Sequence, residues 1–307
     1  MLVLGRRPRI FSGIGDWLTM FIVDSRKAAL FPTRQKAIVT ILMGDDYIDV
    51  WETLSRRSWE DYAERHGYDL IVITTHLDDS EFGRARPIPW QKLLILDQPW
   101  SAAYERIVWL DADIVISRTA PDVISTVRQP ECVGAVNGGD QFSPAEKHVL
   151  FELQHNMQVD PSKVATALNY DLENGYAIDG LEVRGRPMLN TGVLVLSPRH
   201  HNELLLRVYP NENRSRLYEQ SYLSLAILES RKVELLSARF NWTVHHRLVL
   251  DFYGDGRTGP EQKRRILLHL QTELRRKAYF LHFAGAFPLL KQIAELKKAL
   301  VDVLEVG

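Results

Sequence analysis

The chain has 307 residues, 45% of them hydrophobic and 25% charged, which suits one large or two modest globular domains with room for a sizeable core. Its 38 basic and 39 acidic side chains nearly cancel, and this argues against a general nucleic-acid binder. The single cysteine, Cys132, excludes an intramolecular disulfide framework and a zinc site made of cysteines alone.

Residues 1–35 are punctuated by Gly5, Pro8, Gly13, Gly15 and Pro32 and read as an irregular N-terminal arm. The apolar run from Trp17 to Val23 is far short of the ~18–20 residues that a membrane-spanning helix needs. No small-residue cleavage site follows it, so the chain is expected to start near Met1 and to stay in the cytoplasm. From Ala37 to Met43 an apolar, β-branched run closed by Gly44 predicts a strand buried on both faces. Tyr47, Val50, Trp51, Leu54, Tyr62 and Ala63 then recur at helical spacing, with Gly67 as the stop.

Asp69 to Thr74 and Arg106 to Leu110 predict two more buried strands, separated by a helix entered through Pro89 and running to Leu96. Strands alternating with helices imply a parallel sheet in an α/β fold, whose ligands sit beyond the C-terminal strand ends. The segments after Met43 and after Leu110 are therefore the places to look for chemistry. Further on, Cys132 to Val136, Gly192 to Ser197, Val233 to Leu236 and Tyr279 to Phe283 read as strands. Glu203 to Tyr209, Tyr218 to Glu229, Gln262 to Lys277 and Leu289 to Leu304 read as helices. The helix over 262–277 is basic and suits either a surface position or peripheral contact with anionic lipid at the inner face of the membrane.

The sharpest local feature is the run from Ile107 to Ile116, in which Asp111 and Asp113 interrupt a wholly apolar strand. Ionised carboxylates between buried runs need a cation or strong donors to compensate them. Hard oxygen ligands suit magnesium or manganese. A strand-to-turn transition with a capping aspartate is the plainer alternative.

Leu110-Asp111-Ala112-Asp113 resembles the DxD motif of glycosyltransferases with the GT-A fold, and other segments agree in order. Pro89-Trp90-Gln91-Lys92 is similar to the aromatic-plus-lysine helix of family 34. Leu189-Asn190-Thr191-Gly192 looks like the strand entry of families 34 and 8. Tyr218-Glu219-Gln220 resembles their helix start, and His282-Phe283-Ala284-Gly285 their terminal element. The resemblance spans about residues 36–287, strongest to family 34, with glycogenin-like family 8 second. It implies an N-terminal arm over 1–35, a GT-A domain over 36–287 and a C-terminal amphipathic helix over 288–307. In that fold a Rossmann-like nucleotide-binding half merges with an acceptor-binding half in one mixed sheet.

By the same resemblance, Asp111, Asp113 and His282 would hold Mn2+ or Mg2+, with Asp111 also able to meet the donor ribose. Thr40, Met43 and Gly44 would contact the base and ribose of a UDP- or GDP-linked sugar, and Ala112 and Gly285 would lie against the donor. Lys92 would reach the diphosphate or the carboxylate pair; its alternative is an exposed helix lysine. Asn190 is either a turn residue or a hydrogen-bond partner of the transferred sugar. Glu219 and Gln220 would lie near the anomeric carbon, with Glu219 standing where family 8 more often has aspartate. Asp140 would bind sugar hydroxyls, or simply belong to a Gly-Gly-Asp turn.

Tyr47 would stack on the donor or pack in the core, and Trp242 would form a platform for a glycan or glycoconjugate acceptor. His245 and His246, read as neighbours in a strand, would point to opposite faces and make a poor chelating pair. The implied reaction is retaining transfer of a hexose or pentose to an acceptor hydroxyl, through a carboxylate nucleophile or by front-face attack. A metal-dependent nucleotidyltransferase and a non-catalytic nucleotide-sugar binder are the alternatives; the first usually wants a Gly-rich phosphate loop, which the sequence lacks.

Overall fold

The computed structural model describes residues 20–23, 32–156, 176, 179–183, 185–211, 215–252 and 260–305. Most of the expected arm, 1–19 and 24–31, lies outside the described residues, as do positions 306 and 307. The fold is mixed α/β around a seven-stranded sheet and a smaller three-stranded one.

Strands β1 (Met20–Val23), β2 (Lys36–Ile41), β3 (Asp69–Ile73) and β4 (Arg106–Leu110) form a parallel block in the order β1-β3-β2-β4. Strand β1 corrects the reading of residues 1–35 as wholly irregular. Its apolar Met-Phe-Ile-Val run satisfies the outer edge of β3, in register from Met20 opposite Leu70. Beyond β4 the sheet continues with β7 (Leu189–Leu196), antiparallel to both neighbours, then β6 (Val133–Asn137) and β8 (Val233–Leu236).

Successive residues of a strand face opposite sides of its sheet, and two hydrophobic layers result. Val39, Ile41, Ile71, Ile107 and Leu194 go to one layer; Ile38, Leu70, Val72, Val108 and Val195 go to the other. The small sheet has the order β5-β10-β9, with β5 (Ile114–Ile116), β9 (Trp242–Thr243) and β10 (Phe280–His282). Leu290 and Ala294 of the C-terminal helix Phe287–Glu305 pack with its Leu281 in a third cluster.

Gly67 ends the helix Arg56–His66 in a left-handed conformation at φ 71°, as its place in the sequence predicts. A five-residue π-helical stretch, Trp51–Ser55, joins that helix to Asp45–Val50.

The helix expected from Pro89 to Leu96 spans Ile88–Asp97 and is a 3₁₀ helix. Residues Trp90 to Leu96 are all buried there, so no polar face enforces a 3.6-residue period. Asn190 lies inside β7, not in a turn before it. The register of β6 against β7 breaks between Ala135 and Val136, which steps from Leu194 to Asn190. This irregularity takes Thr191 and Gly192 out of the β6 ladder and leaves them to the site below.

Candidate active site

A cleft of about 550 Å³ opens beyond the C-terminal ends of β2 and β4, where an α/β sheet with this strand pattern places its ligands. Three pairings build its floor. Strand β4 lies antiparallel to β7, with Leu110 opposite Val193, and the Asp111 N–H donates to Gly192 O at 2.9 Å. Strand β5 pairs antiparallel with β10, setting His282 opposite Ile114, and the Phe283 N–H donates to Asp113 O at 3.0 Å. Strand β10 pairs parallel with β9, placing Thr243 beside His282.

Asp111, Asp113 and His282 thereby converge, with one ligand atom from each lying within 4.8 Å of the others. His282 Nε2 is 3.2 Å from Asp113 Oδ1 and 3.7 Å from Asp111 Oδ2. Burial disfavours the imidazolium, but the two carboxylates outweigh it and raise the His282 pKa.

These residues fit a divalent ion. Two carboxylates and one imidazole are a hard donor set suited to manganese or magnesium. Space is kept for them by a missing side chain: a Cβ on Gly192 would come within 2.3 Å of His282 Cε1 and 3.0 Å of Asp111 Oδ2.

Behind the cluster lies a buried ion triad. Lys92 Nζ is 3.0 Å from Asp111 Oδ1 and 2.7 Å from Glu219 Oε1, and it donates to Thr191 O at 3.3 Å. Only 3% of the Lys92 side chain and 2% of the Glu219 side chain are exposed, against 30% for Asp111. Burial opposes charge on Lys92, yet the two carboxylates hold its pKa above the usual value. Burial raises the Asp111 pKa, but Lys92 and His282 more than reverse this and keep it ionised. Glu219 goes the other way: burial raises its pKa, and Lys92 only partly offsets burial and the nearby Asp111 charge. Trp109 Nε1–H donates to Asp111 Oδ1 at 2.8 Å, and the Thr191 hydroxyl donates to Glu219 Oε1 at 2.8 Å.

Of the residues singled out from sequence, Met43, Lys92, Asp111, Ala112, Asp113, Asn190, Glu219, Gln220, His282 and Gly285 line this cleft. Lys92 is buried rather than an exposed helix lysine. Tyr47 also lines the cleft; it is 42% exposed and stacks on Phe287 with ring centroids 3.8 Å apart. Thr40 is fully buried in β2, outside the lining. Gly44 is exposed at the N-cap of Asp45–Val50, at φ 91°, and does not line the cleft either. Asp140 is exposed in a turn, where its Oδ1 accepts from Asn137 Nδ2 at 2.7 Å, and it too stands outside the lining.

Trp242 stands outside the lining, packs against the third cluster, and its Nε1–H donates to Glu273 Oε2 at 2.7 Å. His245 and His246 belong to the helix Val244–Phe252, not to a strand, and both line the cleft. Burial lowers the pKa of His245, and that of His246 to about 3. The sequence reading gave no role to Trp109, Thr191, Arg216, Tyr218 or Asn241. Of these only Asn241 carried a usable signal, as an amide between the aromatic residues Phe240 and Trp242.

No protein-family model and no curated protein matches the chain. Solved structures similar to it include a glycosyltransferase involved in glycosylation of the major capsid of PBCV-1, 14% identical over 85% of this chain and 98% of that one, with a TM-score of 0.49. Mouse xyloside xylosyltransferase 1 is 12% identical over 81% of this chain and 97% of its own, at TM-score 0.41. The galactosyltransferase LgtC, crystallised with donor and acceptor sugar analogues, is 12% identical over 84% and 95% respectively, at TM-score 0.44. Those activities belong to those proteins.

Proposed function

We propose that the cleft is the active site of a metal-dependent glycosyltransferase that moves a hexose or pentose from a nucleotide sugar to an acceptor hydroxyl. The observation that supports this most is the meeting of Asp111, Asp113 and His282, from three separate stretches, at a cleft beyond the parallel strand ends. When bound there, a divalent ion would neutralise charge that develops on the leaving diphosphate.

The chain's own residues do the rest. Lys92 keeps Asp111 ionised and in place as a ligand, because its ammonium is buried against that carboxylate. Glu219 Oε1 is held by Lys92 and Thr191, while its Oε2 has no hydrogen-bond partner among the described residues. A buried carboxylate at the edge of the cleft suits electrostatic stabilisation of the positive charge that develops on the reacting sugar. Its near-complete burial favours front-face retention over direct attack by Glu219. Tyr47 and Tyr218 (45% exposed) provide aromatic surface at the mouth for a base or a sugar ring.

The proposal takes Mn2+ or Mg2+ as the ion, a glycan or glycoconjugate as acceptor and the cytoplasm as location. Peripheral lipid contact belongs to the helix Pro260–Arg276, which holds all but Lys277 of the basic segment 262–277 and shows a half-exposed Leu268. No helix among the described residues is long and apolar enough to cross a membrane. Binding of the protein to anionic vesicles, lost when Arg264 and Arg265 are replaced, checks that contact.

The test of function is incubation with Mn2+ and a panel of UDP- and GDP-sugars. Nucleoside diphosphate release that Asp113→Asn abolishes at unchanged thermal stability is expected. Pyrophosphate release from a nucleoside triphosphate and a sugar phosphate would instead make the protein a nucleotidyltransferase. Failure to turn over or bind any donor would leave a scaffold.

A further inference from the structure

His282 presents Nε2 to the two carboxylates, so its value as a ligand depends on where its proton sits. A neutral imidazole carries one proton, and only the unprotonated nitrogen can coordinate. The surrounding hydrogen bonds decide this without reference to any ion. They form a chain of three buried side chains, Asn190, Asn241 and His282, each 2% exposed.

The chain is anchored on backbone. The Gly192 N–H can only donate, and it meets Asn190 at 2.9 Å; the atom it meets is therefore the amide oxygen, Oδ1. Asn241 approaches that same oxygen at 2.8 Å, so it must present its NH2 group there. Its other end, Oδ1, then faces His282 Nδ1 at 2.7 Å. Oxygen there can only accept, so the proton must be on Nδ1. In the neutral ring Nε2 is then left with its lone pair directed at Asp111 and Asp113. The order Gly192 N–H to Asn190, Asn241 NH2 to Asn190, and His282 Nδ1–H to Asn241 has one consistent polarity throughout.

We infer that Asn241 is a positioning residue which fixes His282 in its Nδ1–H tautomer and aims Nε2 at the carboxylate pair, with Asn190 fixing the orientation of Asn241 in turn. This builds on the metal reading above, but the tautomer itself does not depend on it. Neighbouring groups that hold a ligating histidine in this way typically change metal affinity by ~10- to 100-fold when removed. Asn190, whose Oδ1 serves Gly192 and Asn241, thus acts at the cluster through another side chain as well as lining the cleft.

Two readouts test the inference on the full chain. The first is the long-range proton–nitrogen spectrum of histidine-labelled protein at alkaline pH, with the His282 signal assigned by its loss in His282→Gln. The second is the affinity for Mn2+ alone, followed by electron paramagnetic resonance. The wild type is expected to show Nδ1 protonated and Nε2 bare. Asn241→Leu, close in shape but without polar atoms, is expected to mix the tautomers and weaken Mn2+ binding about tenfold or more.

Asn190→Leu never touches His282, yet it releases the Asn241 amide to turn and is expected to shift the tautomer in the same direction. Asn190→Asp keeps the oxygen that accepts from both Gly192 and Asn241 and is expected to preserve it. This pair keeps the test sharp even if Asn241→Leu folds poorly. A wild-type His282 protonated at Nε2, or an unchanged tautomer and Mn2+ affinity in Asn241→Leu, would overturn the inference while leaving the metal site standing. A wild type that binds no Mn2+ but shows the expected tautomers would sink the metal reading and retain the role of Asn241.

Discussion

At position 192 the fold leaves no room for even one carbon. Gly192 is not there for a turn; it lies in β7, and its Cα faces the His282 ring and the Asp111 carboxylate. Gly192→Ala would place a methyl 2.3 Å from His282 Cε1, so the ring must move away from the carboxylates. The expected result is loss of Mn2+ affinity by about tenfold or more, and calorimetric titration checks it. Wild-type affinity in that variant would mean the ring position is not what binds the ion.

Lys92 supports a second prediction at this scale. Its single charge serves Asp111 and Glu219 together, both within 3.0 Å. Lys92→Met keeps the stem and removes the charge, stranding two carboxylates in a largely dry site. Breaking a buried ion pair in this way typically costs about 3–5 kcal/mol, to be read in urea unfolding. Adding Glu219→Gln should recover part of the loss, because one stranded carboxylate is then gone. An unchanged midpoint in Lys92→Met, or no recovery in the double variant, would show that the triad does not stabilise the fold.

At the scale of elements, a buried histidine ties the helix Pro198–Val208 to the sheet. His201 Nδ1 accepts from the Ser197 N–H at 2.8 Å, and its Nε2 meets Glu131 O at 3.1 Å. This arrangement needs the neutral ring. Burial lowers the His201 pKa to about 4, against about 6.5 for a histidine in an unfolded chain. The folded pKa being the lower one, the unfolded state takes up the proton first as the pH falls. The contribution is therefore whole above about pH 6.5 and is lost progressively down to about pH 4. The urea midpoint of the wild type should fall across that window, and His201→Gln should fall less steeply. Equal slopes would remove His201 as a cause.

Most elements could be read from the sequence because burial on both faces, or an apolar stripe, leaves a period in it. The parallel strands β2, β3 and β4 and the helix ended by Gly67 are of that kind. Ile88–Asp97 has no such period, since Trp90 to Leu96 are all buried, Gln91 and Lys92 included. Strand β1 lies in a run too short and too far from its partner in sequence to declare itself. His245 and His246 were misread for the related reason that two residues at the start of a helix carry no periodicity of their own.

Across the whole molecule, the candidate site is a product of sheet pairing between distant stretches. Asp111 and Asp113 are visible because charge interrupts an apolar strand, and His282 because the residues after it resemble a known motif. Nothing in their spacing shows that β5 and β10 pair, and that pairing is what brings the imidazole to the carboxylates. Asn190, Asn241 and Gly192 likewise acquire their parts only when β7, β9 and β10 meet. Thr40, Gly44 and Asp140 show the reverse case. Their local sequence suits a ligand loop or turn, but the fold puts Thr40 in the core and leaves Gly44 and Asp140 on the outside.

The account is tested most directly by anomalous diffraction at the manganese edge from crystals grown with Mn2+ and UDP. It predicts one strong peak at coordination distance from an Asp113 carboxylate oxygen and His282 Nε2, next to Asp111, with diphosphate density on its open side. A peak elsewhere, or UDP seated in the cleft with these three side chains free of metal, would contradict it.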